Sequence, residues 1–130
     1  MRRAVPLTIA ALGVSQILIS LWMVAAPHSF FEHVGPFGTY NSHYVGDVAA
    51  FQAGIGLALL ASYWVPALRL GALFAMLSAV GLHVINHVVD ISDAHAGSSA
   101  GWLDVLTISA LFVLVAYLLR CVVKEQEEAV

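Results

Sequence analysis

The stretch ALRLGALFAMLSAVGLHVINHVVD, Ala67 to Asp90, decides the fold. Between Arg69 and Asp90 it runs for 20 residues without a Lys, Arg, Asp or Glu. A spanning helix needs about 20 mostly apolar residues to cross roughly 30 Å of hydrocarbon, so this run alone is long enough to cross. Three further stretches match it in length, from about Pro6 to Ala26, from about His43 to Trp64 and from about Trp102 to Val123. Together they predict an all-α integral membrane protein, a single four-helix transmembrane domain over residues 1–130 with helices at about 6–26, 43–64, 67–90 and 102–123. Pro6 fits a first helical turn, and Pro27 closes the far end of the first span before a polar, Gly-rich stretch. Beyond the fourth span, Lys124, Glu125, Glu127 and Glu128 return the chain to water.

Composition agrees with a bilayer as solvent. Hydrophobic residues make up 61% of the chain and charged residues 10%, against roughly a quarter charged in soluble domains. The net charge of −3 says little about partners, and the lack of any basic patch argues against nucleic acid. Cys121 is the only cysteine, which excludes an intrachain disulfide and a zinc ribbon. Arg2 and Arg3 before an apolar run, with Val24-Ala25-Ala26 like a small-residue cleavage site, also fit a signal peptide. The run exceeds the roughly 7 to 15 residues of a signal core, so it is read as a retained helix.

The bases orient the spans. Arg2 and Arg3 precede the first, Arg69 lies at the turn between the second and third, and Arg120 with Lys124 ends the fourth, so all five fall on one side. The positive-inside rule makes that side cytoplasmic, with both termini there, in a multi-pass protein of the plasma membrane. Trp22 and Trp102 then mark the outer interface, and Tyr63, Trp64 and Tyr117 the inner one. On the second span Gly46, Ala50, Gly54, Ala58 and Ser62 recur at four-residue spacing, a flat face that lets another backbone approach closely. Ordinary packing within the chain accounts for it; the sharper reading is a homo-oligomer interface. Gln16 and Gln52 lie at similar depth, roughly 14 Å from the outer ends of their helices, and a mutual hydrogen bond is expected to satisfy them.

His28, Glu32, His33, His43, Asp47, His83, His87, Asp90, Asp93, His95 and Asp104 all map to the outer half. His83, His87 and Asp90 follow at i, i+4 and i+7, one stripe of the third span that continues inward to Met76. His43 and Asp47 are likewise four apart on the second span, and the helical rise puts Asp47 at a depth between His87 and Asp90. Neutral imidazole and carboxylate bind zinc, copper, iron or nickel, and HxxxH on a helix offers two nitrogens to one ion. The expected ligands are Asp47, His83 and His87, with His43 and Asp90 as support, Asp90 as ligand or as the acceptor that fixes a histidine tautomer. His83 is the sharpest member, because an ionisable group roughly 10 Å inside the helix end is by default functional. His28, His33 and His95 are expected to face solvent, Asp104 to favour the first turn of the fourth helix, and Asn41 or Ser42 to cap the second. No HExxH is present, so no metalloprotease is indicated.

The pattern NSHYVGDVAAFQAGIGLALL, Asn41 to Leu60, followed by GLHVINHVVD, Gly81 to Asp90, resembles a group of small four-helix membrane proteins common in actinobacteria. The resemblance covers most of the chain, carries Asn41, His43, Asp47, His83, His87 and Asp90 as its characteristic positions, and implies the membrane fold without a mechanism. In kind, Asp47, His83 and His87 are also similar to the Asp and two His that bind copper in the membrane subunit of particulate methane and ammonia monooxygenases. There the carboxylate shares a helix with the first histidine, whereas here the two histidines share one. The expected function is therefore a membrane metalloprotein, copper ahead of zinc. The alternatives are a haem- or quinone-linked redox protein with His83 or His87 as axial ligand, and a non-catalytic interaction or transport subunit with pH-sensitive histidine contacts.

Overall fold

The structure is a computed structural model and describes residues 4–36, 38–91 and 98–128. Arg2, Arg3, Asp93 and His95 lie outside the described residues. The described residues form helices α1 (Ala4–Ala25), α2 (Pro27–His33), α3 (Ser42–Ala61), α4 (Arg69–Val89) and α5 (Ser98–Glu127), with a 3-10 turn at Pro66–Leu68 and no strand. Four segments, Ala4–Ala25, Ser42–Ala61, Pro66–Val89 and Gly101–Glu127, are long and apolar enough to cross a membrane.

Two helix boundaries differ from expectation. Pro27 does end α1, since Ala26 before it is non-helical at φ −146°, ψ 64°, as the clash with a proline ring requires. The same proline, its φ already set and its missing N–H not needed in a first turn, then starts α2. Ala26 serves both helices: its N–H donates to Trp22 O at 2.9 Å and its carbonyl accepts from Phe30 N at 3.0 Å. Trp22 holds the short helix down, with its ring edge-on to Phe30 at 5.7 Å and its Nε1 donating to Ser29 Oγ at 3.4 Å. The helix α5 begins at Ser98 and passes through Gly101, which is buried, so Asp104 lies in its second turn and is not the first-turn cap expected.

At the other expected cap the sequence is right. Asn41 is extended, and its Oδ1 accepts from the backbone N–H of His43 at 3.0 Å and of Tyr44 at 3.4 Å. The far end of α3 is closed from a distance, by Arg69 Nε donating to the Ser62 carbonyl at 3.2 Å. Arg69 thus satisfies an orphan carbonyl of a helix C-terminus as well as carrying charge at that end.

The helices associate as two antiparallel pairs, α1 with α3 and α4 with α5, and the pairs touch each other far less. The first pair is in backbone contact. A Cβ placed on Gly13 would lie 2.6 Å from Leu60 N and 2.8 Å from Gly56 O, and one on Gly56 would lie 2.9 Å from Gly13 O. Further along, Ser20 Oγ donates to Ala49 O at 2.7 Å. The expected close face is therefore corrected: a Cβ on Gly46 or Gly54 would meet nothing within 4 Å, and only Ala58 and Ser62 at the end of that stripe are covered. Backbones meet where glycines of two helices oppose, and Gly56 points almost opposite to Gly54 around α3.

The dry core gathers at one end. Ile9, Leu59, Leu73, Met76, Val115 and Leu118, from all four long helices, pack together near the termini where Arg69, Arg120 and Lys124 lie. This arginine end is tightly filled. The opposite, histidine end is not.

Candidate functional site

Between the two helix pairs, toward the histidine end, lies a cavity of about 450 Å³. Every helix contributes to its wall: Met23 and Gln16 from α1, Phe30 from α2, Gln52 from α3, His83 and His87 from α4, and Leu111 from α5. The wall is mostly apolar, and among the described residues its polar side chains are the two amides and the two imidazoles. The stripe read from the sequence holds along α4, with Met76 in the core and Ala79, Val80, His83 and His87 facing the cavity. The unexpected helix α2 matters here, because Phe30 and the following Val34 and Gly35 roof the cavity.

His83 and His87, one turn apart, bring their ring centroids to 4.5 Å in an edge-to-face arrangement at 71°. The Nδ1 of His87 is withdrawn from solvent. Asp90 is the C-cap of α4, its N–H donating to Asn86 O at 2.9 Å, and its side chain is half-buried.

The second expected pair also forms, but on its own. His43 Nε2 and Asp47 Oδ2 are 3.5 Å apart on α3, with side chains 84% and 54% exposed, and neither lines the cavity. Among the described residues no three His, Cys, Asp or Glu side chains gather as a group that could hold a metal ion. The sequence placed Asp47 beside His83 and His87 by depth alone. Depth does not fix rotation: α3 turns Val48, Gln52 and Ile55 into the cavity, so Asp47, one position earlier, is carried out of it.

The amides depart from expectation as well. Gln16 and Gln52 both face the cavity, and neither makes a hydrogen bond to another described residue, including each other. Gln16 is 8% exposed.

The histidines of α2 are exposed, as expected of loop-region residues, and bonded locally. His28 Nδ1 lies 3.4 Å from Glu32 Oε1 and its ring packs edge-on against Tyr40 at 4.9 Å, while His33 Nδ1 is 2.8 Å from Ser29 O. A groove on the outside of α4 and α5, lined by Leu77, Gly81, Ile85 and Phe112, has only Ser78 and Ser109 as polar members. Ser78 Oγ is already bonded to Phe74 O at 2.9 Å, so this groove offers lipid tails an apolar surface and little else.

Compared with protein-family models, with curated proteins and with solved structures, the chain matches none.

Proposed function

We propose that the chain is a multi-pass protein of the plasma membrane, a four-helix bundle with both termini in the cytoplasm, that binds a transition-metal ion through His83 and His87. The observation that carries this reading is the imidazole pair itself, 4.5 Å between ring centroids on one face of α4. His83 lies about 9 Å inside the end of that helix, at a depth where a histidine is costly unless it has work to do. Two neutral nitrogens at i, i+4 are a bidentate donor set for copper or zinc, and the higher intrinsic affinity of copper(II) for nitrogen and oxygen donors places it slightly ahead. The bases Arg69, Arg120 and Lys124 stand at the opposite end of the helices, so the positive-inside rule puts the imidazoles on the extracytoplasmic side.

The remaining donors are close in sequence register. Asp90, three residues beyond His87, supplies a carboxylate as ligand or as acceptor for an imidazole N–H. Asp47 with His43 completes the set if α3 turns about its axis as well as moving toward α4, since Val48, Gln52 and Ile55 now hold the cavity-facing side. The open face at Gly46, Ala50 and Gly54 suits a second copy of the chain, whose close approach such small residues favour.

Metal analysis of protein purified without a His-tag tests the reading. Wild type is expected to carry metal near one equivalent per chain, and a His83→Ala/His87→Ala variant to lose it. Equal metal content in the two would end the proposal. Asp47→Ala separates the ligand sets: retention of metal leaves a site of the α4 histidines, and loss brings α3 into it.

A further inference from the structure

We infer that the cavity between the helix pairs is a binding site for a neutral, ring-bearing amphiphile of the quinone or quinol class, held by the Gln16 and Gln52 amides and the His83 imidazole. The inference goes beyond the metal reading and does not need a metal. Its basis is the pairing of an apolar wall with amides that no described residue satisfies: Gln16 is more than nine-tenths buried, lines the cavity, and like Gln52 bonds no described residue. At mid-membrane an amide without a partner is costly, so a molecule that hydrogen-bonds both amides gains what the chain itself does not supply.

Charge and shape narrow the class. Among the described residues no Lys, Arg, Asp or Glu lines the cavity, which disfavours fatty-acid, phosphate and cationic head groups. Amide and imidazole can each donate or accept, which suits both the carbonyl oxygens of a quinone and the hydroxyls of a quinol. The polar groups stand at two depths: the amides lie roughly 14 Å from the histidine end and His83 about 9 Å, so a ring with oxygens at opposite edges meets both levels. A volume of about 450 Å³ is in the range of small-molecule sites. Phe51 and Val48, at the α3 edge of the cavity, are 77% and 51% exposed, which marks a side opening toward lipid through which a tail can leave.

The test uses EDTA-treated full-length protein in nanodiscs of synthetic, quinone-free phosphatidylcholine, titrated with decylubiquinone. Trp22 is the reporter, since it packs on Phe30 in the cavity roof, and Trp64→Phe/Trp102→Phe removes the other tryptophans. Saturable quenching at one quinone per chain is expected. Gln16→Leu/Gln52→Leu should weaken binding at least about ten-fold, the equivalent of one or more lost hydrogen bonds. Ala79→Phe, which fills the cavity from α4, should abolish saturation, and Leu82→Phe, on the lipid-facing groove, should leave it unchanged. Quenching that rises linearly with quinone per lipid, or equal affinity in wild type and the double glutamine variant, would overturn the inference. Metal content measured on the same preparations before chelation keeps the two readings apart, because loss of either one leaves the other standing.

Discussion

The contact between Gly13 and Gly56 makes a prediction whose size can be worked from distances. In Gly13→Ala the new Cβ would stand 2.6 Å from Leu60 N, where ordinary contact begins at 3.4 Å, so the two helices must part by 0.8 Å. The atoms it meets are helix backbone and cannot turn aside as a side chain would. Moved as a rigid body, α1 would stretch the Ser20 to Ala49 hydrogen bond from 2.7 Å to about 3.5 Å, past useful length. Overpacking of this kind costs about 1–3 kcal/mol, and the lost interhelical bond adds roughly 0.6 kcal/mol. Alanine's advantage over glycine within a helix, about 1 kcal/mol in water, largely cancels when the unfolded reference also keeps its helices. Reversible unfolding in mixed micelles with SDS, followed by circular dichroism, is therefore expected to show a loss of roughly 1.5–3.5 kcal/mol. Gly71→Ala is the control: nothing lies within 4 Å of its new Cβ, and its effect should stay within about 0.5 kcal/mol. A neutral Gly13→Ala would refute the assignment of α1 to the Gly56 face of α3.

Two smaller perturbations read other joints of the fold in the same assay. Ser20→Ala removes the α1 to α3 hydrogen bond without a steric change and should cost about 0.6 kcal/mol and no more than about 1.7 kcal/mol; a larger loss would mean Ser20 does more than bond Ala49 O. Asn41→Ala strips the cap from α3 and should cost about 1 kcal/mol, with Asn41→Asp close to wild type; equal losses in both would show that the side-chain oxygen is not the capping group.

The four long helices were legible because hydrocarbon thickness imposes a length, and a length can be counted along a sequence. The helix α2 was not, since PHSFFEH is short and polar, and a proline that stops one helix looks the same as a proline that starts the next. Helix α5 began early for a related reason: Gly101 reads as a break, yet glycine is tolerated in membrane helices, and here it is buried. The i, i+4 neighbours His83 with His87 and His43 with Asp47 followed from helical geometry alone. What sequence could not supply was the rotation of one helix against another. That single unknown accounts for the misplaced close-packing face of α3 and for Asp47 standing outside the cavity, whereas Gln16 and Gln52 turn to a shared space as expected and are held too far apart to bond.

The position of the cavity follows from where the chain places its tightest contacts. Between the pairs, packing is concentrated in the core of Ile9, Leu59, Leu73, Met76, Val115 and Leu118 at the arginine end. Toward the histidine end the facing walls carry amides and imidazoles, and α2, pinned by Trp22, holds Phe30 across the top. A Gln16 to Gln52 bond could have drawn the walls together, but such bonds contribute only about 0.6 kcal/mol on average in membrane proteins, too little to repack five helices around it. An apolar core at one end and a roof at the other keep the polar walls apart, and His83 faces the space between them. A volume-conserving change in the arginine-end core, such as Leu59→Met, should therefore leave metal and quinone binding alone, whereas unpinning α2 with Trp22→Ala should weaken quinone binding while His83 and His87 stay in place on α4. Quinone affinity unchanged by Trp22→Ala, read by equilibrium binding of a radiolabelled quinone since the fluorescent reporter is lost, would show that the roof plays no part.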